Sequence, residues 1–260
     1  LRDPPMWSVL PVACRNVRIE NIRLIGLWRY NSDGIDIVNS QNVLVRGCFV
    51  RSYDDSIVLQ GKGSHHVEGF DTREADVLNI WVEDCVLWND WGQAIKIGTE
   101  TFADRFAHLT FRDISVIRYA HGAITMHIMD RARVSHVTFE NISVEESIAD
   151  EATIDGKPYP TPENIGSLVN FNVLARSQAD YNRRGWTNYQ SERGRIHNVT
   201  LRSISYLGER PARIHLRGYS PEHGISGLVF EDVRIGGKPL KTLKEAAIHS
   251  NPHVSFEVRD

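Results

Sequence analysis

The sequence predicts an all-β fold, a right-handed parallel β-helix, and three observations carry that expectation. A signature of the form apolar-x-apolar-x-polar-apolar returns seven times along the chain. Between copies, short β-branched-rich runs alternate with the period of two that marks a half-buried strand. No stretch of helical length holds a 3.6-residue period. Like strands that follow one another in one direction pair in parallel, and coils too small to bury their own apolar faces stack to share one core. The hand follows the usual rule for parallel crossovers.

The copies span 16–22, 42–48, 79–85, 108–114, 136–142, 198–204 and 227–233, and begin on Asn, Asn, Asn, His, His, Asn and Gly. They recur every 26 to 37 residues, with one gap of 62 between Ile142 and Ile204. A (β/α)8 barrel would need amphipathic helices between the strands, and these are absent. A β-sandwich would lack the in-phase repeat.

One domain over residues 1–260 accommodates this pattern. Residues 61–77 and 147–193 read as polar insertions, the kind that wall the binding face of a solenoid. Residues 238–260 read as a C-terminal cap, with a short helix over Leu240 to Ile248 and a last strand over Val254 to Val258. The chain opens on Leu1-Arg2-Asp3-Pro4-Pro5, with no initiator Met, no signal peptide and no cap on the first coil. Native N-terminal coils are therefore expected to precede it.

The composition, 41% apolar and 24% charged, is that of a globular chain. A net charge of −3 gives no reason to expect nucleic acid. No apolar run is long enough for a membrane-spanning helix. Cys14, Cys48 and Cys85 are too few for a disulfide scaffold, and Cys48 and Cys85, at equivalent places in successive copies, read as small buried side chains stacked in the core. The sequons at Asn141 and Asn198 fall inside the signature and read as stacked turn asparagines rather than glycan sites.

Two acidic turns stand apart from this regularity. Asn31-Ser32-Asp33-Gly34 runs into Ile35-Asp36-Ile37, and Tyr53-Asp54-Asp55-Ser56 runs into Ile57-Val58-Leu59. Superimposing Ile35 on Ile57 places Asp33 over Asp55, 22 residues on, one coil above the other. Adjacent strands lie about 4.8 Å apart, so the carboxyls of Asp33, Asp54 and Asp55 crowd one another and at least one should keep its proton near neutral pH. A protonated and an ionised carboxyl together are what glycoside hydrolysis uses, an acid for the leaving oxygen and a base for water. Acidic residues also cap ordinary turns, and clustered carboxylates also suit Ca²⁺.

These residues resemble the catalytic core of the polygalacturonase-like β-helix glycosidases, a clan that includes the dextranases and isopullulanases. Trp7-Ser8-Val9-Leu10-Pro11 and the Asn16 signature resemble the coil before the active site in that family, and the resemblance spans roughly residues 5 to 145. It implies that Asp54 is the general acid and that Asp33 and Asp55 activate water for inversion. The chain then departs from the pattern. Where polygalacturonases carry Gly-His-Gly it reads Gly92-Gln93-Ala94, and where they carry Arg-Ile-Lys it reads Thr125-Met126-His127. Loss of both cations removes the partners of a galacturonate carboxylate and favours a neutral sugar. Lys96, one coil back in the Arg column, is the candidate for partial compensation.

Around the acids, Gln93, Lys96, His127, Trp88, Trp91 and Tyr30 are the candidate substrate-binding residues, since aromatic rings suit the apolar faces of sugars in a wet cleft. Trp28, Trp186 and Tyr189 belong to the same aromatic set. His65, His66 and His121 lie on nearby turns without metal-ligand spacing, so neither a transition metal nor a cofactor is expected. The expected activity is inverting hydrolysis of O-glycosidic bonds in a poly- or oligosaccharide, by a secreted or periplasmic protein as the resemblance implies. A Ca²⁺-dependent polysaccharide lyase and a non-catalytic carbohydrate-binding β-helix are the competing readings.

Overall fold

The structure, a computed structural model, describes residues 1–26, 30–63, 71–145, 152–154, 157–159, 166–175, 193–208 and 213–260. Among them the chain winds as a right-handed parallel β-helix. One wall is a seven-stranded, wholly parallel sheet, ordered Ile248–Ser250, Arg213–Arg217, Ser167–Val173, Gly122–Ile128, Gln93–Thr101, Ile57–Gly61 and Ile35–Val38. The remaining walls form one eleven-stranded sheet whose long members, such as Arg105–Arg118 and Arg133–Val144, bend around the core.

The signature explains those bends. Its first position is left-handed in every coil, with φ between 53° and 60° at Asn16, Asn42, Asn79, His108, His136, Asn198 and Gly227. Its sixth position is left-handed too, at Asn21, Gly47, Asp84, Asp113, Asn141, Ser203 and Asp232. Asn, Asp and Gly tolerate this conformation best, which is why they recur there. The asparagines also satisfy one another: Asn42 Nδ2 donates to Asn16 Oδ1 and Asn79 Nδ2 to Asn42 Oδ1, both at 3.0 Å. Asn141 and Asn198, the two sequon residues, stand in these columns.

Between the bends, alternate residues point inward and stack on the same residue type one coil away. Phe111 and Phe139 lie face to face with ring centroids 5.0 Å apart. Cys48 and Cys85 are buried and free, in the column continued by Ile114, Ile142 and Ile204. Burial of this continuous stack, at about 25 cal/mol per Å² of apolar surface, is the main source of stability.

The segment 147–193 departs from the single insertion expected of it. Ile142 pairs directly with Ile204, so the gap of 62 is one coil. Within that coil Ser167–Val173 is a core strand between Gly122–Ile128 and Arg213–Arg217, burying Leu168, Val169, Phe171 and Val173. Its period-two apolar pattern is short and lies between polar stretches on both sides, which hid it. A small antiparallel hairpin, Ala152–Ile154 with Lys157–Tyr159, precedes it.

At the C-terminus a helix, Leu240–Ala247, buries Leu240 and Ala247 before Ile248–Ser250 and Val254–Arg259 complete a further coil. At the N-terminus Val9 and Val12 bridge to Ile35 and Val38. No helix among the described residues is long and apolar enough to cross a membrane.

Candidate active site

The acids gather where the chain enters the seven-stranded sheet. Ile35 pairs with Ile57 and Ile37 with Leu59, and the Gly34 amide donates to the Asp55 carbonyl at 2.8 Å, so Asp33 and Asp55 share a column. Gly34 is needed there, because a Cβ would lie 2.3 Å from the Ser56 carbonyl oxygen. Asp33 is anchored from the preceding coil, its carbonyl accepting from the Ser8 amide at 3.1 Å and the Ser8 hydroxyl at 2.7 Å.

Asp54 turns its carboxyl toward the same point. Its Oδ2 accepts from the Asn31 amide and its Oδ1 from the Asp55 amide, both at 3.0 Å. The Ser52 hydroxyl and the Asn89 amide hold its carbonyl. Gly92 lets the next coil close over the pair, since a Cβ there would lie 2.6 Å from Asp55 Oδ1 and 2.7 Å from Asp54 Oδ1. Asp33, Asp54 and Asp55 each offer an oxygen within 4.8 Å of the others. Adjacency to Asp55 and these two amides hold the Asp54 carboxyl within the cluster.

Asp55 is the carboxylate with a cation. Lys96 Nζ donates to Asp55 Oδ2 at 2.6 Å, and the Gln93 amide donates to Oδ1 at 2.8 Å. The register that puts Lys96 between Val58 and Thr125 confirms its place in the expected column, and the outward step across Val58 lets its long side chain reach Asp55. Burial alone would lower the Lys96 pKa, but Asp55 beside it outweighs that and raises it.

The other carboxyls resist ionisation. Burial first, then Asp36, Asp55 and Asp54, push Asp33 up to about 11. Burial first, then Asp55, push Asp54 up to about 7. Asp36, wholly enclosed beneath the site, is raised well above the usual carboxylate range by burial and then by Asp55. Gln60 Nε2 lies 3.4 Å from its Oδ1, and Lys62, whose ammonium sits 4.3 Å from the Trp7 ring centroid, partly offsets it. Asp36 was not singled out from sequence. Alternation with the core residues Ile35 and Ile37 sends it to the outer face of the sheet, so nothing in the pattern showed that it would be enclosed there, where an acid costs free energy unless it is paired or neutral.

On the following coils, Gln93 is buried with its side chain 3.4 Å from His121 Nδ1, and the His121 ring lies 5.9 Å from that of Trp91. Trp91 stacks on Tyr53 at 5.8 Å. Burial, then Lys96, lower His121 to about 3 and His127 to about 4, so both are neutral imidazoles. His127 is half-buried beside Asn172 in the column after Thr125–Asn170. Tyr30 is exposed one residue before Asn31. Trp88 turns away onto the eleven-stranded sheet, where its ring packs under the Arg51 guanidinium and its indole N–H donates to Asp90 at 3.1 Å. Leu87 points inward, so alternation sends Trp88 out. Trp28, His65, His66, Trp186 and Tyr189 lie outside the described residues. A separate hollow of about 500 Å³ is lined by Asp104, Arg131, Arg133, Arg193 and Arg195, none of which belongs to the acid cluster.

Comparison with known proteins places the chain in a family and shows its fold elsewhere. The family model of the glycosyl hydrolases family 28 matches residues 5–167, more than half of the chain. The chain belongs to that family. Its fold is shared by a family 28 exopolygalacturonase of Yersinia enterocolitica, at 14% identity and a TM-score of 0.63, over 100% of this chain and 44% of the other. A hyperthermoactive exopolygalacturonase of Thermotoga maritima matches at 16% identity and a TM-score of 0.62, over 98% of this chain and 50% of the other. The chain thus spans about half the length of these structures. No curated protein matches it.

Proposed function

We propose that this family 28 chain hydrolyses O-glycosidic bonds of a poly- or oligosaccharide with inversion, using its three clustered aspartates. The observation that carries the reading is the unlike state of neighbouring carboxyls: Asp54 pushed up to about 7, beside Asp55 in contact with a lysine. Asp54 gives its proton to the leaving oxygen, and water held between Asp33 and Asp55 attacks the anomeric carbon from the other side. Retention would require a free carboxylate to attack as nucleophile. Both oxygens of Asp55 are already bonded, one to Lys96 and one to the Gln93 amide, which suits accepting a proton from water better than attacking carbon.

Substrate preference follows from the next two coils. Thr125 and neutral His127 stand where the resemblance places an Arg and a Lys, and Lys96 is committed to Asp55. Nothing else on these strands offers a guanidinium fork to a sugar carboxylate. A neutral glycan is the substrate we propose, with polygalacturonate, named by the two structural neighbours, as the alternative. By the same resemblance we propose a secreted or periplasmic location.

The three oxygens within 4.8 Å also have the spacing of a Ca²⁺ site, and so of a lyase. Lys96 already supplies the positive charge there. The experiment is a glycan panel including dextran, pullulan and polygalacturonate, read by new reducing ends and by ultraviolet absorbance, with and without chelator. Hydrolysis gives chelator-resistant reducing ends with no absorbance. Unsaturated products that vanish with chelator would establish the lyase, and no turnover on any glycan would favour a binding module.

A further inference from the structure

Two outward columns of this solenoid treat charge differently. In the column Glu83, Arg112, Glu140, Arg202 and Glu231, successive coils alternate in sign. Arg112 meets Glu83 at 2.7 Å, and Arg202 meets Glu140 at 3.2 Å and Glu231 at 3.3 Å. The column Arg105, Arg133 and Arg195 instead carries one sign on successive coils. Asp76 neutralises Arg105 at 2.8 Å. Among the described residues no carboxylate forms an ion pair with Arg133 or Arg195, both of which are exposed. Adjacent strands put their backbones about 4.8 Å apart, and like charges placed so repel.

The same coils add two more arginines. Arg131 and Arg193 stand two residues before Arg133 and Arg195, and the Arg195 amide donates to the Ala132 carbonyl at 3.2 Å. Arg131 is held by Glu74 at 2.6 Å and Asp104 at 2.7 Å. The Arg193 guanidinium lies 5.7 Å from the ring centroid of Tyr219, a residue 49% exposed. These four arginines line the hollow of about 500 Å³ described above. Besides Asp104 its acid is Glu222, which is exposed and accepts from the Ser220 hydroxyl at 3.0 Å. Two further hollows, of about 400 and 470 Å³, continue from it past Arg195 and His253 to Tyr219. The acid cluster precedes the strands Ile35–Val38 and Ile57–Gly61, whereas these arginines and Tyr219 follow the strands Gly122–Ile128, Ser167–Val173 and Arg213–Arg217.

We propose that this surface is a second binding site, separate from the acid cluster, for the carboxylate or sulfate groups of an acidic glycan. Guanidinium forks donate two parallel hydrogen bonds to such oxyanions. Arg133 and Arg195, on neighbouring coils and without a protein counter-ion, are the two forks, and bound anions relieve their repulsion. The exposed Tyr219 ring has an apolar face and a polar tip, which suits a sugar better than a free ion. The run of hollows suits a chain better than a single group. The inference rests on the glycan reading above and adds to it a hold on charged groups that Thr125 and His127 do not supply.

The test is binding without turnover, by calorimetry at low salt on the full chain carrying Asp54→Asn. The probes are an oligogalacturonate, a chondroitin sulfate oligosaccharide, a neutral malto-oligosaccharide and inorganic sulfate. At least one acidic oligosaccharide should bind, and Arg133→Gln with Arg195→Gln should weaken it about tenfold or more, since two charge-assisted contacts are lost. Binding of the neutral oligosaccharide should not change. Arg112→Gln with Arg202→Gln removes the same charge from the balanced column and should leave every probe unaffected. Equal weakening in that control, or no binding of either acidic oligosaccharide, would overturn the inference. Inorganic sulfate bound as tightly as the oligosaccharides would make the ligand a small free oxyanion and overturn the glycan assignment.

Unfolding at low salt gives a second readout. Arg133→Gln with Arg195→Gln should unfold at or above the midpoint of the parent chain, because repulsion is removed. A lower midpoint would show that the two arginines hold the fold, and would also overturn the inference. Neither readout needs hydrolysis, so an inactive glycan panel leaves this test standing, and failed binding here leaves the hydrolase reading standing.

Discussion

Asp33 precedes one strand of the seven-stranded sheet and Asp130 follows another, and the two are almost equally enclosed, yet their surroundings differ in kind. Asp130 accepts from the Thr101 amide at 2.9 Å and lies 3.5 Å from the Thr101 hydroxyl, which in turn accepts from the Asp130 amide at 2.9 Å. Asp33 faces other acids and keeps Oδ1 without a partner. The same contrast recurs between the left-handed columns and the strands around Asp33. On the eleven-stranded sheet the asparagines of the left-handed columns bond to one another, whereas Asp36 Oδ2, Gln60 Oε1, Gln93 Oε1 and Thr125 Oγ1 on the seven-stranded sheet are buried without partners. Buried polar groups are normally satisfied.

The largest effect expected from this contrast is on turnover. Asp54→Asn should slow hydrolysis of an ordinary glycoside by about 10²–10⁴-fold and should be nearly harmless with an activated leaving group, which needs no proton. Equal losses on both substrates, in parallel assays, would break the assignment. In the wild type, activity should fall as pH rises through about 7, because Asp54 must keep its proton.

Next is stability at the satisfied end. Asp130→Ala leaves the buried Thr101 amide without its acceptor and should cost about 1–3 kcal/mol in denaturant unfolding.

At the other end the sign reverses. The folded pKa of Asp33 is raised, so wild-type stability is fully present below the unfolded value near 4 and is lost as pH rises toward the folded value. Asp33→Asn should therefore raise the unfolding midpoint at about pH 8, by about 1 kcal/mol or more, and the gain should vanish near pH 4. A destabilised variant at pH 8 would erase the comparison.

The smallest effect belongs to the ladder. Asn42→Ala removes the link between Asn16 and Asn79 and puts alanine at a left-handed position, which should cost about 1–2 kcal/mol and leave turnover unchanged.

Much of this architecture was legible because a solenoid repeats its own constraints. The Asn, His and Gly that open each signature copy mark the left-handed bend, and two acidic turns in register suffice to place Asp33 over Asp55. What was hidden depends on single contacts that no period encodes. Ser167–Val173 is one short strand between two polar stretches. The reach of Lys96 to Asp55 depends on side-chain length and direction between adjacent coils, and the pull of the Asn31 and Asp55 amides on Asp54 depends on turn geometry. Trp88 was readable: Leu87 takes the inward place, so alternation turns Trp88 away from the acids.

The anomer released first decides the central claim. Proton NMR of the newly formed reducing end, taken on the glycan that the panel shows to be cleaved and before mutarotation, should show inverted configuration. A retained anomer would contradict the account, and would make one of these closely spaced carboxyls a nucleophile, as separations of about 5–5.5 Å do elsewhere.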